Sequence, residues 1–203
     1  VPPFTVLHVC MGNICRSPMA ERLLALAVRE RLTRRGADLA GADGLLHSHS
    51  AGTGGWHAGE EMNPPAARQV VSRGGAAAGF AARKLRSDQI DAADLVLTAT
   101  ADQQEYVVAL RPDAAARTFV LGEFGRLLAA VDAAALPAAE ASPDAVYTRG
   151  VALVAAVHAA RQGASPLHTD DLDDPWGRGD QCFSRVADEI EETVHPLAAV
   201  LLP

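Results

Sequence analysis

Cys10 and Arg16, six positions apart, bracket the segment Val9-Cys10-Met11-Gly12-Asn13-Ile14-Cys15-Arg16-Ser17-Pro18. An apolar run from Phe4 to Val9 leads into it and an amphipathic run follows, so the order reads strand, tight loop, helix. A loop seated on a helix N-terminus turns backbone N–H groups inward and forms a cradle for a tetrahedral oxyanion. The guanidinium of Arg16 is built to grip two oxygens of such an anion. Cys10 lies in the same positive field, where the thiolate is favoured. A nucleophile, a clamp and an amide cradle within one loop point to phosphoryl transfer through a cysteine.

The other loop residues take supporting parts. Met11, Gly12, Asn13, Ile14 and Cys15 supply the N–H groups, with Gly12 giving backbone freedom where the chain approaches the ligand. Asn13 tolerates left-handed geometry and can brace the loop by bonding across it. Ser17 has two readings: a hydroxyl donor to the Cys10 sulfur, or a plain N-cap of the following helix. Cys15 is either a partner that traps an oxidised Cys10 as a disulfide or a small buried filler. Cys182 has no motif around it and reads as helix packing.

These residues need a scaffold. Short apolar or β-branched runs predict strands over Phe4 to Cys10, roughly Leu45 to Ala51, Asp94 to Ala99, and Arg117 to Leu121. Helical patterns run from Pro18 to about Arg35, Pro64 to Ser72, Ala101 to Leu110, and Asp180 to about Val200. Pro18 suits a first helical position, and Gly36 suits a stop. Strands alternating with helices imply an α/β fold, a four-stranded parallel sheet with helices on both faces. The Cys10 loop then sits at the carboxyl end of the first strand, where doubly wound sheets bind ligands. The 203 residues suit one domain over 1–203 with an insertion at approximately 127–170. Within it, Ala133 to Pro143 reads as a surface loop and Asp144 to Arg161 as a helix.

Composition narrows the partners. A formal net charge of −7 argues against nucleic acid and anionic lipid. No run of about 18 apolar residues predicts a membrane span. The first strand has no basic segment ahead of it, so it does not read as a secretory signal. Three cysteines, two of them in one loop, make no disulfide framework. A reducing cytoplasm is therefore the expected compartment. His47 and His49 alternate along a strand but lack a third ligand, so no metal and no other cofactor is expected.

The loop resembles the active-site loop of the low-molecular-weight protein tyrosine phosphatases of bacterial type, whose signature is C-x5-R-S. The likeness extends through Pro18-Met19-Ala20-Glu21, through Ser50-Ala51-Gly52-Thr53-Gly54-Gly55-Trp56-His57-Ala58-Gly59, through Ala82-Arg83-Lys84-Leu85 and Ala93-Asp94-Leu95-Val96-Leu97, and through Asp174-Pro175-Trp176-Gly177. It implies a flavodoxin-like fold and hydrolysis of phosphotyrosine in a protein substrate, releasing inorganic phosphate by way of a cysteinyl-phosphate. It also implies that Ser50 lies beside Asn13. Charge alone does not choose among Asp170, Asp171, Asp173 and Asp174 for a general acid. The resemblance selects Asp174, because the family's acid directly precedes a proline; Asp173 stands next. Trp56 and Trp176 are expected to wall a slot for a flat leaving group, unless they pack the core. Phe80 stands where the family often carries a histidine, which predicts a missing polar contact behind the loop.

Two other functions use the same features. An arsenate reductase of this fold needs two further cysteines in relay, and none appears around Gly79 to Gln89. A phosphotyrosine-binding module without turnover needs neither a nucleophile nor an acid.

Overall fold

A computed structural model describes residues 1–203. Along β1 (Phe4–Cys10) the side chains alternate between two apolar cores, Phe4, Val6 and Cys10 toward the larger and Leu7 and Val9 toward the smaller. Both faces are covered, which is why the strand reads as a nearly continuous apolar run. Parallel pairing with β2 (Leu46–Gly52) on one side and β3 (Leu95–Thr98) on the other makes β1 central. β4 (Thr118–Val120) adds to β3, giving the order β2-β1-β3-β4. After β1 the chain turns to one side for β2 and later to the other for β3. Cys10 therefore ends its strand at the reversal point where such sheets open a crevice.

The helix after the loop, α1 (Arg16–Arg34), buries Met19, Leu23, Leu24, Ala27 and Val28 on one stripe. Straight-chain and alanine residues favour it throughout. It ends in a Schellman turn: Gly36, at φ +67°, donates its N–H to the Thr33 carbonyl, and Ala37 donates to Leu32. Helices α2 (Ala42–Leu45), α3 (Pro64–Ser72), α4 (Ser87–Ala92), α5 (Ala101–Leu110), α6 (Leu121–Leu128), α7 (Pro143–Arg161) and α8 (Asp180–Leu201) complete the layers. α1, α3, α6, α7 and α8 feed the larger core, while Ile90 of α4 and Val107 of α5 feed the smaller one. No helix is long and apolar enough to cross a membrane.

Some boundaries differ from the sequence expectation. Helix α1 starts at Arg16 rather than at Pro18, and Ser17 is not its cap; Cys15 holds that position without a side-chain bond. The first-turn amides are left open toward the crevice, so no side chain covers them. Leu45 and Leu121 leave their expected strands because Leu45 is the last residue of α2 and Leu121 the first of α6. The helix expected at Asp144–Arg161 forms as α7. Its Val146, Leu153, Val154 and Val157 join the larger core, and Gly150 lets the Phe4 ring approach its backbone.

Two histidines on these strands are held neutral. The Ser48 hydroxyl donates to the Glu21 carbonyl (2.9 Å), so its oxygen accepts from His8 Nε2 (3.2 Å). His8 Nδ1 is buried without a partner, and a protonated ring would have no acceptor there. Burial first, then the neighbouring His49, pushes His8 down to about 3. Burial, then His47 and Arg83, pushes His49 down to about 4. The unfolded chain then binds more protons than the folded one between those values and about 6.5. Stability is full above that range and falls as pH drops through it. On the order of 2 kcal/mol should vanish between pH 7 and pH 5 from His8 alone. Thermal melts should show a smaller acid-side drop for His8→Gln than for the parent; equal drops would contradict this origin.

Candidate active site

The loop from Cys10 to Ser17 has its carbonyls tied outward. Thr53 N–H donates to the Cys10 carbonyl, Gly54 to Met11 and Asn63 to Ile14, each at 2.9 Å. None of the N–H groups from Met11 to Ser17 donates to a protein acceptor. They stand together as free donors at the N-terminus of α1, the arrangement that binds an oxyanion. Gly52 is what lets β2 come this close: a Cβ there would lie 2.7 Å from the Met11 carbonyl oxygen. Asn13 adopts φ 56°, the left-handed turn that its residue type tolerates.

Side-chain bonds beneath the loop have a fixed direction. The Arg83 N–H donates to Asn13 Oδ1 (2.9 Å), which sets the orientation of that amide. Asn13 Nδ2 then donates to Ser50 Oγ and to Ser17 Oγ, both at 2.9 Å. Ser50 donates its own proton to Glu21 Oε1 (2.8 Å). Ser17, already accepting from Asn13, has its proton free for Cys10 Sγ, 2.9 Å away. The sulfur is thus placed to accept that proton, as a thiolate would. The hydroxyl-donor reading of Ser17 fits this geometry and the capping one does not. Cys10, Asn13, Ser17 and Ser50 are all buried.

Cys15 is placed differently. Burial, followed by the charges of Cys10 and Asp174 and against the pull of Arg16, pushes its thiol up to about 12. It stays protonated near neutrality and does not compete as a nucleophile. Cys182 is buried on α8, as its sequence context suggested.

Arg16 is only 5% exposed. Its Nη1 donates to the Leu172 carbonyl at 3.3 Å, and its Nη2 lies 3.8 Å from Asp174 Oδ2. The clamp is therefore fastened to the segment that brings the candidate acid. The acidic run separates by partner. Asp170 is buried and takes both prongs of Arg126; Asp171 accepts the N–H of Ala101 at the start of α5; Asp173 pairs with Arg185 at 3.0 Å. Asp174 alone of the four faces the loop, with Oδ1 accepting the Trp176 N–H at 3.2 Å.

A cavity of about 210 Å³ opens over the loop, lined by Met11, Gly12, Ile14, Cys15, Arg16 and Asp174, with Trp56, His57 and Trp176 as walls. Trp56 and Trp176 are 63% and 61% exposed, so they are walls rather than core. The Trp56 ring folds over Gly54, where any Cβ would overlap it. His57, whose type and place carry no signal in the sequence alone, presents one ring edge to Gly12. Its Nδ1 bonds Glu60 at 2.5 Å. Glu21 was also missed; its place four residues after Ser17 reads as ordinary helix. Phe80 is buried in the larger core, and the Arg22 guanidinium lies over its ring at 5.8 Å.

Comparison with known proteins agrees with this geometry. Residues 5–134 match the family model described as low molecular weight phosphotyrosine protein phosphatase. A low molecular weight protein-tyrosine-phosphatase of Streptomyces coelicolor is 36% identical over 109 residues, covering 54% of this chain and 60% of that protein. The chain thus spans about 60% of the length of that curated relative. Etp of Escherichia coli K12, which carries the same description, is 32% identical over 120 residues, 59% of this chain and 70% of its own. Among solved structures, the tyrosine phosphatase AmsI of Erwinia amylovora superposes with a TM-score of 0.64 at 19% identity, covering 99% of this chain and 95% of its own. Wzb of Escherichia coli K30, solved with sulphate, gives 0.60 at 20% identity, covering 97% and 96%. At these identities the structures speak to the fold, while the matched residues carry the kinship: this chain belongs to the low molecular weight phosphotyrosine protein phosphatase family.

Proposed function

We propose that the chain hydrolyses aryl phosphate monoesters, phosphotyrosine in a protein substrate, without a metal or other cofactor. The phosphoryl oxygens bond the free N–H groups of the loop and the Arg16 fork. The Cys10 thiolate attacks phosphorus in line with the phenolic oxygen. The S–P bond forms as the P–O bond breaks, and Asp174 gives its proton to the departing phenolate. Asp174, now ionised, takes a proton from water as that water attacks phosphorus. Inorganic phosphate leaves, and the sulfur departs as a thiolate that the Ser17 hydroxyl stabilises. As charge spreads over the equatorial oxygens, preorganised amides and guanidinium hold it more tightly than they hold the ground state.

One observation carries this reading. The bonds under the loop leave the Ser17 proton available to Cys10 Sγ, 2.9 Å away, within a run of unused main-chain donors. A binding module needs the donors but not that proton. A thiol relay for arsenate finds little support, with Cys15 protonated and Cys182 buried. Three free cysteines suit a reducing cytoplasm. We assign the 127–170 insertion a packing role within a single domain, since α7 reaches the larger core and contributes no side chain to the cavity.

Turnover of an aryl phosphate tests it. Cys10→Ser should lose about 10⁴-fold or more in kcat. Arg16→Lys should lose about 10²–10³-fold, since an ammonium does not reproduce the planar fork. Asp174→Ala should lose about 10²-fold on phenyl phosphate and much less on a nitrophenyl ester, whose leaving group needs no proton. Parent-like rates in all three would contradict the mechanism. A second measurement separates the thiols. Near pH 6, iodoacetate should label Cys10, with protection by phosphate, and leave Cys15 and Cys182 unlabelled; label on Cys15 would refute the assignment.

A further inference from the structure

Arg22 has no part in the chemistry described above, yet its half-buried side chain bonds the loop's supports on two sides. It follows Glu21 directly on α1, and adjacent helix residues do not ordinarily face each other. Here the long side chain curls back so that Nε bonds Glu21 Oε2 at 2.8 Å. Its Nη1 donates to the carbonyls of Ala76 (2.9 Å) and Ala78 (3.1 Å). Its guanidinium lies over Phe80. Glu21 is 6% exposed and has no other ion-pair partner. A buried carboxylate without a counterion is costly and turns toward water.

These contacts reach both ends of the Asn13 amide. Through Glu21 and Ser50, Arg22 supports the acceptor of one Asn13 N–H. Through the 76–78 carbonyls it fastens the strap that runs to Arg83, whose N–H meets Asn13 Oδ1. Asn13 in turn fixes the direction of the Ser17 hydroxyl. We infer that Arg22 is a positioning residue for the phosphatase reaction, acting through Glu21 to hold the Asn13–Ser17 brace that aims a proton at Cys10. The inference rests on the proposed function for its kinetic consequence but not for its structural one. Phe80 cannot supply a polar partner here, and the Arg22 guanidinium stands over its ring and meets Glu21 instead.

A double-mutant cycle tests it, with two readouts. Arg22→Gln should lower kcat on an aryl phosphate about tenfold with KM within about twofold, the scale of a lost charge-assisted bond. The same substitution should move the pH midpoint of Cys10 alkylation upward. In a Glu21→Gln background, adding Arg22→Gln should cost clearly less than in the parent, because the carboxylate partner is already gone and only the bonds to the 76–78 strap remain to be lost. Arg22→Lys, which keeps a cation beside Glu21, should recover most of the kcat and guards against a Gln variant that does not fold. Equal losses from Arg22→Gln in both backgrounds, an unmoved alkylation midpoint, or a lysine variant as impaired as the glutamine one would overturn the inference. Alkylation needs no turnover. A parent that hydrolyses nothing but shows the shift therefore sinks the phosphatase reading and leaves the Arg22 inference standing.

Discussion

The structure depends on one constraint: seven consecutive main-chain N–H groups, Met11 to Ser17, must converge without finding a partner in the protein. Left alone, such a run is unfavourable, because main-chain donors gain free energy by finding an acceptor. It survives because the carbonyls between them are tied outward to the β2 exit and to Asn63, so the loop cannot relax by turning over. The left-handed Asn13 and the contact at Gly52 belong to the same constraint. So does the uncapped start of α1: a side chain bonded there would occupy the donors that a tetrahedral anion is meant to meet.

The remaining elements serve that loop. The order β2-β1-β3-β4 puts its first residue at the reversal point of the sheet. The β2 exit supplies the outward ties and one tryptophan wall. The segment before α8 supplies Asp174, the second wall, and the Leu172 carbonyl that holds Arg16. Arg16 links the two halves, with Nη1 bonded to the Leu172 carbonyl and Nη2 3.8 Å from Asp174 beside the loop. Charge in the acidic run is sorted the same way, with Asp170, Asp171 and Asp173 each spent on a structural partner and Asp174 left facing the loop.

Much of this was legible in the chain. The strand ending at Cys10, the stop at Gly36, the brace at Asn13 and the helix after Asp144 all follow from local rules of periodicity, turn chemistry and backbone tolerance. What escaped has a common cause. The short helices α2, α4 and α6 are too brief for a period to show, and α6 grows directly from the end of β4. Ser17 has the type of a cap, and only the three-dimensional position of Asn13 redirects its hydroxyl to sulfur. Glu21, Arg22 and His57 carry ordinary local signals, and their roles exist only once β2 and the 76–83 strap are packed beside them. Charge alone could not single out Asp174, because the choice is made by Arg126, Ala101 and Arg185, far away in sequence.

The account stands or falls on what happens to the sulfur of Cys10. Rapid acid quench of the parent protein with excess aryl phosphate, followed by peptide mass spectrometry, reads this directly. The account predicts phosphate on the Cys10 peptide, more of it in Asp174→Ala supplied with a good leaving group, and none in Cys10→Ser. Phosphate found on any other side chain, or burst turnover with no phosphorylated Cys10, would contradict it.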